Sequence, residues 1–151
     1  MGHQISAIIT RDNVDLSKAK EFDLCIIETV QNVKIIPLDP YHSDYWTEKL
    51  ELDITDDSDI ILDCETTRYF SKQIGIKKYV LIETDYHGGI GDQLATVYEN
   101  NNRIMSCKNN GINEALSLIG IVKTGNLDEF DSIQLGKYRN FSNLFEKYYE
   151  S

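Results

Sequence analysis

The chain has 151 residues, 41% of them hydrophobic, with nine Tyr, five Phe and one Trp, a length at which one domain buries about 70% of its unfolded surface. Its formal net charge of −10 argues against binding to nucleic acid or an anionic membrane and favours a basic partner. No apolar run approaches the ~20 residues of a bilayer-crossing helix, and MGHQISAIITRD has no basic segment ahead of a long apolar stretch, so neither a membrane span nor a secretory signal is expected.

In chain order, QISAIIT (4–10) alternates and carries β-branched residues, the pattern of a first strand. DLSKAKEF (15–22) predicts a short helix. DLCIIETV (23–30) and NVKIIPL (32–38) are apolar, β-rich runs joined at Gln31-Asn32, which suits a hairpin. Pro37 lacks a ladder donor, so the second run lies at an edge or ends there. PYHSDYWTEKLELD (40–53) loses clean periodicity and predicts a helical turn from Trp46 to Leu50. DIILDC (59–64) reads as a buried strand, with a helix from Ser58 as the alternative.

TTRYFSKQIG (66–75) predicts a helix closed by Gly75. KKYVLIETD (77–85) is a strand, QLATVYE (93–99) a second one, and Asn100 to Asn102 turn the chain into RIMSC (103–107). GINEALSLIG (111–120) places Ile112, Ala115, Leu116 and Ile119 at helical spacing, with Gly120 closing it. FSNLFEKYYES predicts a C-terminal helix with Ser142 as N-cap and Leu144, Phe145, Tyr148 and Tyr149 on its apolar face. No fixed repeat and no linker divide the chain. The expected architecture is a single α+β domain over 1–151, a largely antiparallel sheet with packed helices.

YHGGIGDQ (86–93) raises the question of a phosphate-binding loop. The dinucleotide fingerprint needs a third glycine and a helix directly after it. Here Gly89-Ile90-Gly91 is followed by Asp92-Gln93 and then by strand-like LATVY, and an aspartate at position 92 repels phosphate. No Lys-Ser/Thr closes a P-loop either. The segment reads first as a hairpin connector, because glycine reaches positive φ at little cost. As an alternative, Asp85, His87, Gly88, Gly89, Gly91, Asp92 and Gln93 converge at one end of the sheet as a ligand loop, His–Asp pairs being able to transfer protons.

The three cysteines, Cys25, Cys64 and Cys107, are odd in number and far apart. They read as buried free thiols in a reducing, cytoplasmic compartment. The histidines His3, His42 and His87 lack metal-ligand spacing, and Asp57-Ser58-Asp59 followed by Ile60-Ile61 is not a calcium loop. No metal and no cofactor is expected. Cys64 with His87 as a nucleophile pair is disfavoured because no strand–turn–helix elbow surrounds the thiol.

The charge excess is local. From Asp44 to Glu65 nine acids face one base, Lys49, whereas residues 66–151 hold ten of each. Such a run is either a solvated face or a docking face whose field speeds encounter with a cationic protein. Tyr45 and Trp46 stand beside Asp44, Glu48, Glu51, Asp53, Asp56, Asp57 and Asp59, aromatic anchors amid charge, as binding hot spots have. For Trp46, plain core packing is the alternative.

YVLIETDYHGGIGDQLATVYENN followed by GINEALSLIGI is similar to a strand–glycine loop–strand–helix pattern of short bacterial proteins, through Gly88, Gly89, Gly91, Asp92 and Gln93, then Ile112, Asn113, Ala115 and Leu116. No catalytic role comes with it. In its small, acidic, cytoplasmic character the chain also resembles bacterial immunity proteins of contact-dependent inhibition systems. That resemblance implies a non-enzymatic binder of a basic partner, a cognate toxin domain such as a nuclease, whose phosphate-holding surface an acidic protein can occupy. The alternatives are a small enzyme or ligand-binding domain using Asp85–Gln93, and a homo-oligomer paired through the C-terminal helix.

Overall fold

The computed structural model describes residues 3–55, 58–87, 90–138 and 140–149. Its frame is one six-stranded sheet in the order β2-β3-β1-β4-β5-β6. The strands are β1 (His3–Thr10), β2 (Ile27–Glu28), β3 (Lys34–Pro37), β4 (Lys78–His87), β5 (Ile90–Glu99) and β6 (Asn102–Asn109). All neighbours pair antiparallel. Helices α1 (Leu16–Glu21), α2 (Pro40–Lys49), α3 (Glu65–Gln73), α4 (Ile112–Leu118) and α5 (Glu129–Ser132) complete a single α+β domain.

The central strand explains the layering. Along β4, Val80 and Ile82 enter one core with Ile9, Val97, Leu116 and Phe145, while Tyr79 and Leu81 enter a second with Ile8, Phe22, Trp46 and Phe70. Successive side chains point to opposite faces, so a continuous YVLI run marks a strand covered on both sides. The first core lies under α4 and the C-terminal segment, the second under α1, α2 and α3.

Local chemistry sets the helix ends. Asp15 accepts the N–H groups of Ser17 and Lys18 at the start of α1. Asp39 accepts those of Tyr41 and His42, and Pro40 opens α2 where its missing N–H costs nothing. The segment from 40 to 49 is therefore helical throughout, longer than the turn predicted from Trp46 to Leu50. Gly75, at φ +84°, closes α3.

Four expectations change. DIILDC is neither strand nor helix. Ile60 and Leu62 drop into the second core and Asp63 is buried beside them, so this run packs over the sheet face and pairs with no strand. In 23–30 only Ile27 and Glu28 pair with β3, because a 3₁₀ turn at Val30–Asn32 with Gln31 and Asn32 at positive φ takes up the connection. Cys25 is exposed and Cys64 and Cys107 half-buried, since Phe22 and Leu24 occupy the inward positions around Cys25. The C-terminal helix is a kinked 3₁₀ segment, Ser142–Tyr148, broken at Phe145. Its apolar side chains are divided: Phe145 is buried in the chain's own core, while Leu144 and Tyr149 are exposed.

The glycine segment joins β4 to β5, which pair out to His87↔Ile90. Gly88 and Gly89 lie outside the described residues. Gly91, Asp92 and Gln93 belong to β5 and Asp85 and His87 to β4.

Candidate functional site: the exposed face of α2

Tyr41, Asp44, Tyr45 and Glu48 recur at i, i+3, i+4 and i+7, so α2 presents them as one outward stripe. All four are exposed, with Tyr41 at 59% and Tyr45 at 46%. On the inward side, His42 and Trp46 enter the second core. Trp46, 7% exposed, is a core residue whose ring meets Phe22 edge-on at 5.2 Å. Of the α2 aromatics, Tyr41 and Tyr45 are the exposed ones.

The stripe separates two clefts. One, of about 640 Å³, lies between α2 and the chain that follows it. Asp44, Glu48, Glu51 and Asp53 stand on its walls, and Leu52, Ile61 and Leu62 supply apolar surface. Among the described residues, no cation comes within ion-pair distance of these four carboxylates. Asp59 is exposed on a later turn outside both clefts, and Asp56 and Asp57 lie outside the described residues.

The other cleft, of about 750 Å³, is bounded by α2, the end of α1 and the C-terminal segment. Tyr45, Trp46 and Tyr148 form its aromatic wall, with Tyr45 edge-on to Trp46 at 5.4 Å and to Tyr148 at 5.2 Å. The Lys49 ammonium sits 5.0 Å from the centre of the Trp46 ring and 5.6 Å from that of Tyr45. Lys147 is 5.3 Å from the Tyr148 ring and pairs with Asp23 at 2.8 Å. Burial draws the Asp23 carboxyl upward, but hydrogen bonds from Lys147 and Tyr148 outweigh it and hold the group below its ordinary value. Burial, together with the bond to Asp23, pushes the Tyr148 hydroxyl up to about 12.

Two acids of the same run serve the fold. Asp63 is buried; Arg103 reaches it at 2.8 Å, Arg68 at 3.7 Å, and the Tyr98 hydroxyl donates to it at 2.6 Å. It ties the 50–64 segment to β5 and β6. Glu65 opens α3, and its backbone N–H donates to the Thr55 hydroxyl at 2.8 Å.

The alternative residues around the glycines divide. Asp85 is exposed, directly opposite Asp92, and accepts from Gln4 at 3.2 Å. Asp85 also borders a cleft of about 360 Å³ with Glu83, whose carboxyl is pushed up by burial, the nearby Asp85 charge adding to this. Gln93 serves the fold: its side-chain oxygen accepts the Ile112 N–H at 3.1 Å, at the start of α4. Among the described residues no three His, Cys, Asp or Glu side chains are gathered to hold a metal ion, and no helix is long and apolar enough to cross a membrane.

Sequence reasoning missed Tyr148, Lys147 and Asp23 as parts of this surface, since they reach it from distant segments. The helical stripe itself had a readable signal, the Asp39-Pro40 start, which sets the phase for Tyr41 to Glu48. No protein-family model, no curated protein and no solved structure matches the chain.

Proposed function

We propose that the chain is a non-enzymatic cytoplasmic binding protein, an immunity protein that neutralises a basic bacterial toxin such as a nuclease. The observation that carries this reading is the grouping of Asp44, Glu48, Glu51 and Asp53, exposed and without an ion-pair partner among the described residues, around one cleft. Acids paired within their own chain have little field left to offer a partner. Unpaired acids on one wall attract a cationic surface over about a Debye length. A nuclease carries cationic charge where it holds phosphates, and a carboxylate-lined surface competes for that place. Tyr41 and Tyr45, stiff and half-polar, suit the apolar part of such an interface.

The test begins with capture of the partner from the native host on the immobilised full chain, followed by association kinetics of the purified pair over a range of salt. Capture of a basic toxin domain supports the reading, and capture of an acidic protein or of none rejects it. Replacing Asp44→Asn, Glu48→Gln and Asp53→Asn together lowers the low-salt association rate about tenfold and flattens its salt dependence. An association rate indifferent to the triple change removes the acidic face from the mechanism.

A further inference from the structure

Within that reading, on which this inference rests, the aromatic cleft identifies the group that the partner presents. We infer that Tyr45, Trp46 and Tyr148, with Asp44 and Glu48 at the rim, form a cage for an arginine side chain of the partner protein, and that Lys49 is an internal stand-in for that guanidinium.

Three features converge. Aromatic faces carry negative potential and attract a cation within about 6 Å of the ring centre. The chain's own Lys49 already meets that criterion over two rings, at 5.0 and 5.6 Å, and its ammonium lies 3.4 Å from the Tyr45 hydroxyl. The cleft extends to about 750 Å³, ample for a side chain beyond the space Lys49 takes. Asp44 and Glu48, one helical turn apart, supply carboxylates beside the rings. A planar guanidinium stacks flat on an aromatic face while its fork donates two parallel bonds to one carboxylate, a geometry that a point-charge ammonium lacks. Lys49 is exposed and makes no ion pair with a described residue, so a guanidinium can displace it into water at little cost.

Trp46 is the chain's one tryptophan, so its fluorescence reports on the cage directly. The full chain is titrated with N-acetylarginine amide, with N-acetyllysine amide, and with sodium chloride at matched ionic strength. The expected result is a saturable change at millimolar arginine amide, a weaker response to lysine amide and none to salt. Lys49→Met removes the competitor and tightens arginine binding about threefold. Tyr45→Leu weakens it by a similar factor, and Tyr45→Phe, which keeps the ring, leaves it within twofold. Circular dichroism melts establish that each variant is folded. A response that does not saturate, or that salt reproduces, overturns the cage, as does a folded Lys49→Met chain that binds no tighter. Because these titrations use no toxin, the cage can fail while the charge-steered association above stands, and the reverse.

Discussion

The indole N–H of Trp46 donates to the hydroxyl of Tyr148 at 3.3 Å, and Tyr148 in turn donates to Asp23. This chain of donors locks the C-terminal 3₁₀ segment onto α2 and the end of α1. Tyr148→Phe keeps the ring contacts with Tyr45 and His42 but leaves a buried indole N–H without an acceptor. The expected cost is about 1–2 kcal/mol, read as a lower urea midpoint at unchanged slope, with the Trp46 emission shifted in the folded state.

Asp63 offers a larger effect. Its carboxylate is fully buried between Arg103, Arg68 and the Tyr98 hydroxyl. Asp63→Ala removes the buried carboxylate that Arg103, Arg68 and the Tyr98 hydroxyl share and opens the anchor of the 50–64 segment. A loss of about 3–5 kcal/mol is expected, as for breaking one partner of a buried ion pair. Asp59→Ala, on an exposed turn nearby, stays within about 0.5 kcal/mol. Chemical denaturation of both variants checks the contrast; equal effects would mean that Asp63 does not anchor the segment.

That contrast shows where sequence legibility ended. Asp59 and Asp63 stand in one acidic run with nothing local to separate them, and the difference comes from β5 and β6, which bring Tyr98 and Arg103 over the second position. The same holds for DIILDC. Its apolar residues signal burial, but pairing needs a free strand neighbour, which no local pattern reveals. Elements fixed by local chemistry were readable: β4 from its two-sided apolar run, α3 and α4 from their spacing and closing glycines, and the β5–β6 turn from Asn100 and Asn101, both at positive φ. The acidic wall was readable as composition. The aromatic cleft beside it was not, because Tyr148 and Asp23 come from segments more than a hundred residues apart.

His42 gives the fold a pH dependence. Its ring is fully buried, with Nε2 2.7 Å from the Phe22 carbonyl, so Nε2 carries the hydrogen and Nδ1, which has no partner among the described residues, stays bare. Burial pushes its pKa below 6.5, against opposing pulls from the Phe22 carbonyl, Asp23 and Asp39, while Lys147 adds to the depression. The Tyr148 ring also packs against it. The unfolded chain therefore takes up a proton near pH 6.5 that the folded chain refuses. Stability from this group is fully present above that pH and declines below it, by up to about 1.4 kcal/mol per pH unit until the folded ring titrates. The stability that Asp23 contributes by being held low is fully present above its ordinary 3.8 and is lost only below it, outside this pH range. Urea midpoints between pH 7.5 and 5 should fall for the natural chain and fall less for His42→Asn. Parallel curves would mean that another group titrates.

Gln93 separates a structural role from a ligand-binding one. Gly111, the N-cap of α4, has no side chain with which to cap it. The missing acceptor comes from the neighbouring strand, where the Gln93 side chain takes the Ile112 N–H and its carbonyl takes the Asn110 N–H at 2.9 Å. Gln93→Ala removes the first bond only and is expected to cost about 0.5–2 kcal/mol, as loss of a helix cap does. Gln93→Glu keeps an acceptor oxygen and places negative charge at the positive end of the helix, so its stability should match the natural chain within about 0.5 kcal/mol. A residue serving a bound ligand would show the opposite order of sensitivity: both changes would alter ligand response and neither would move the melt. Thermal melts of the two variants decide it, and a Gln93→Ala chain as stable as the natural one would remove the capping role.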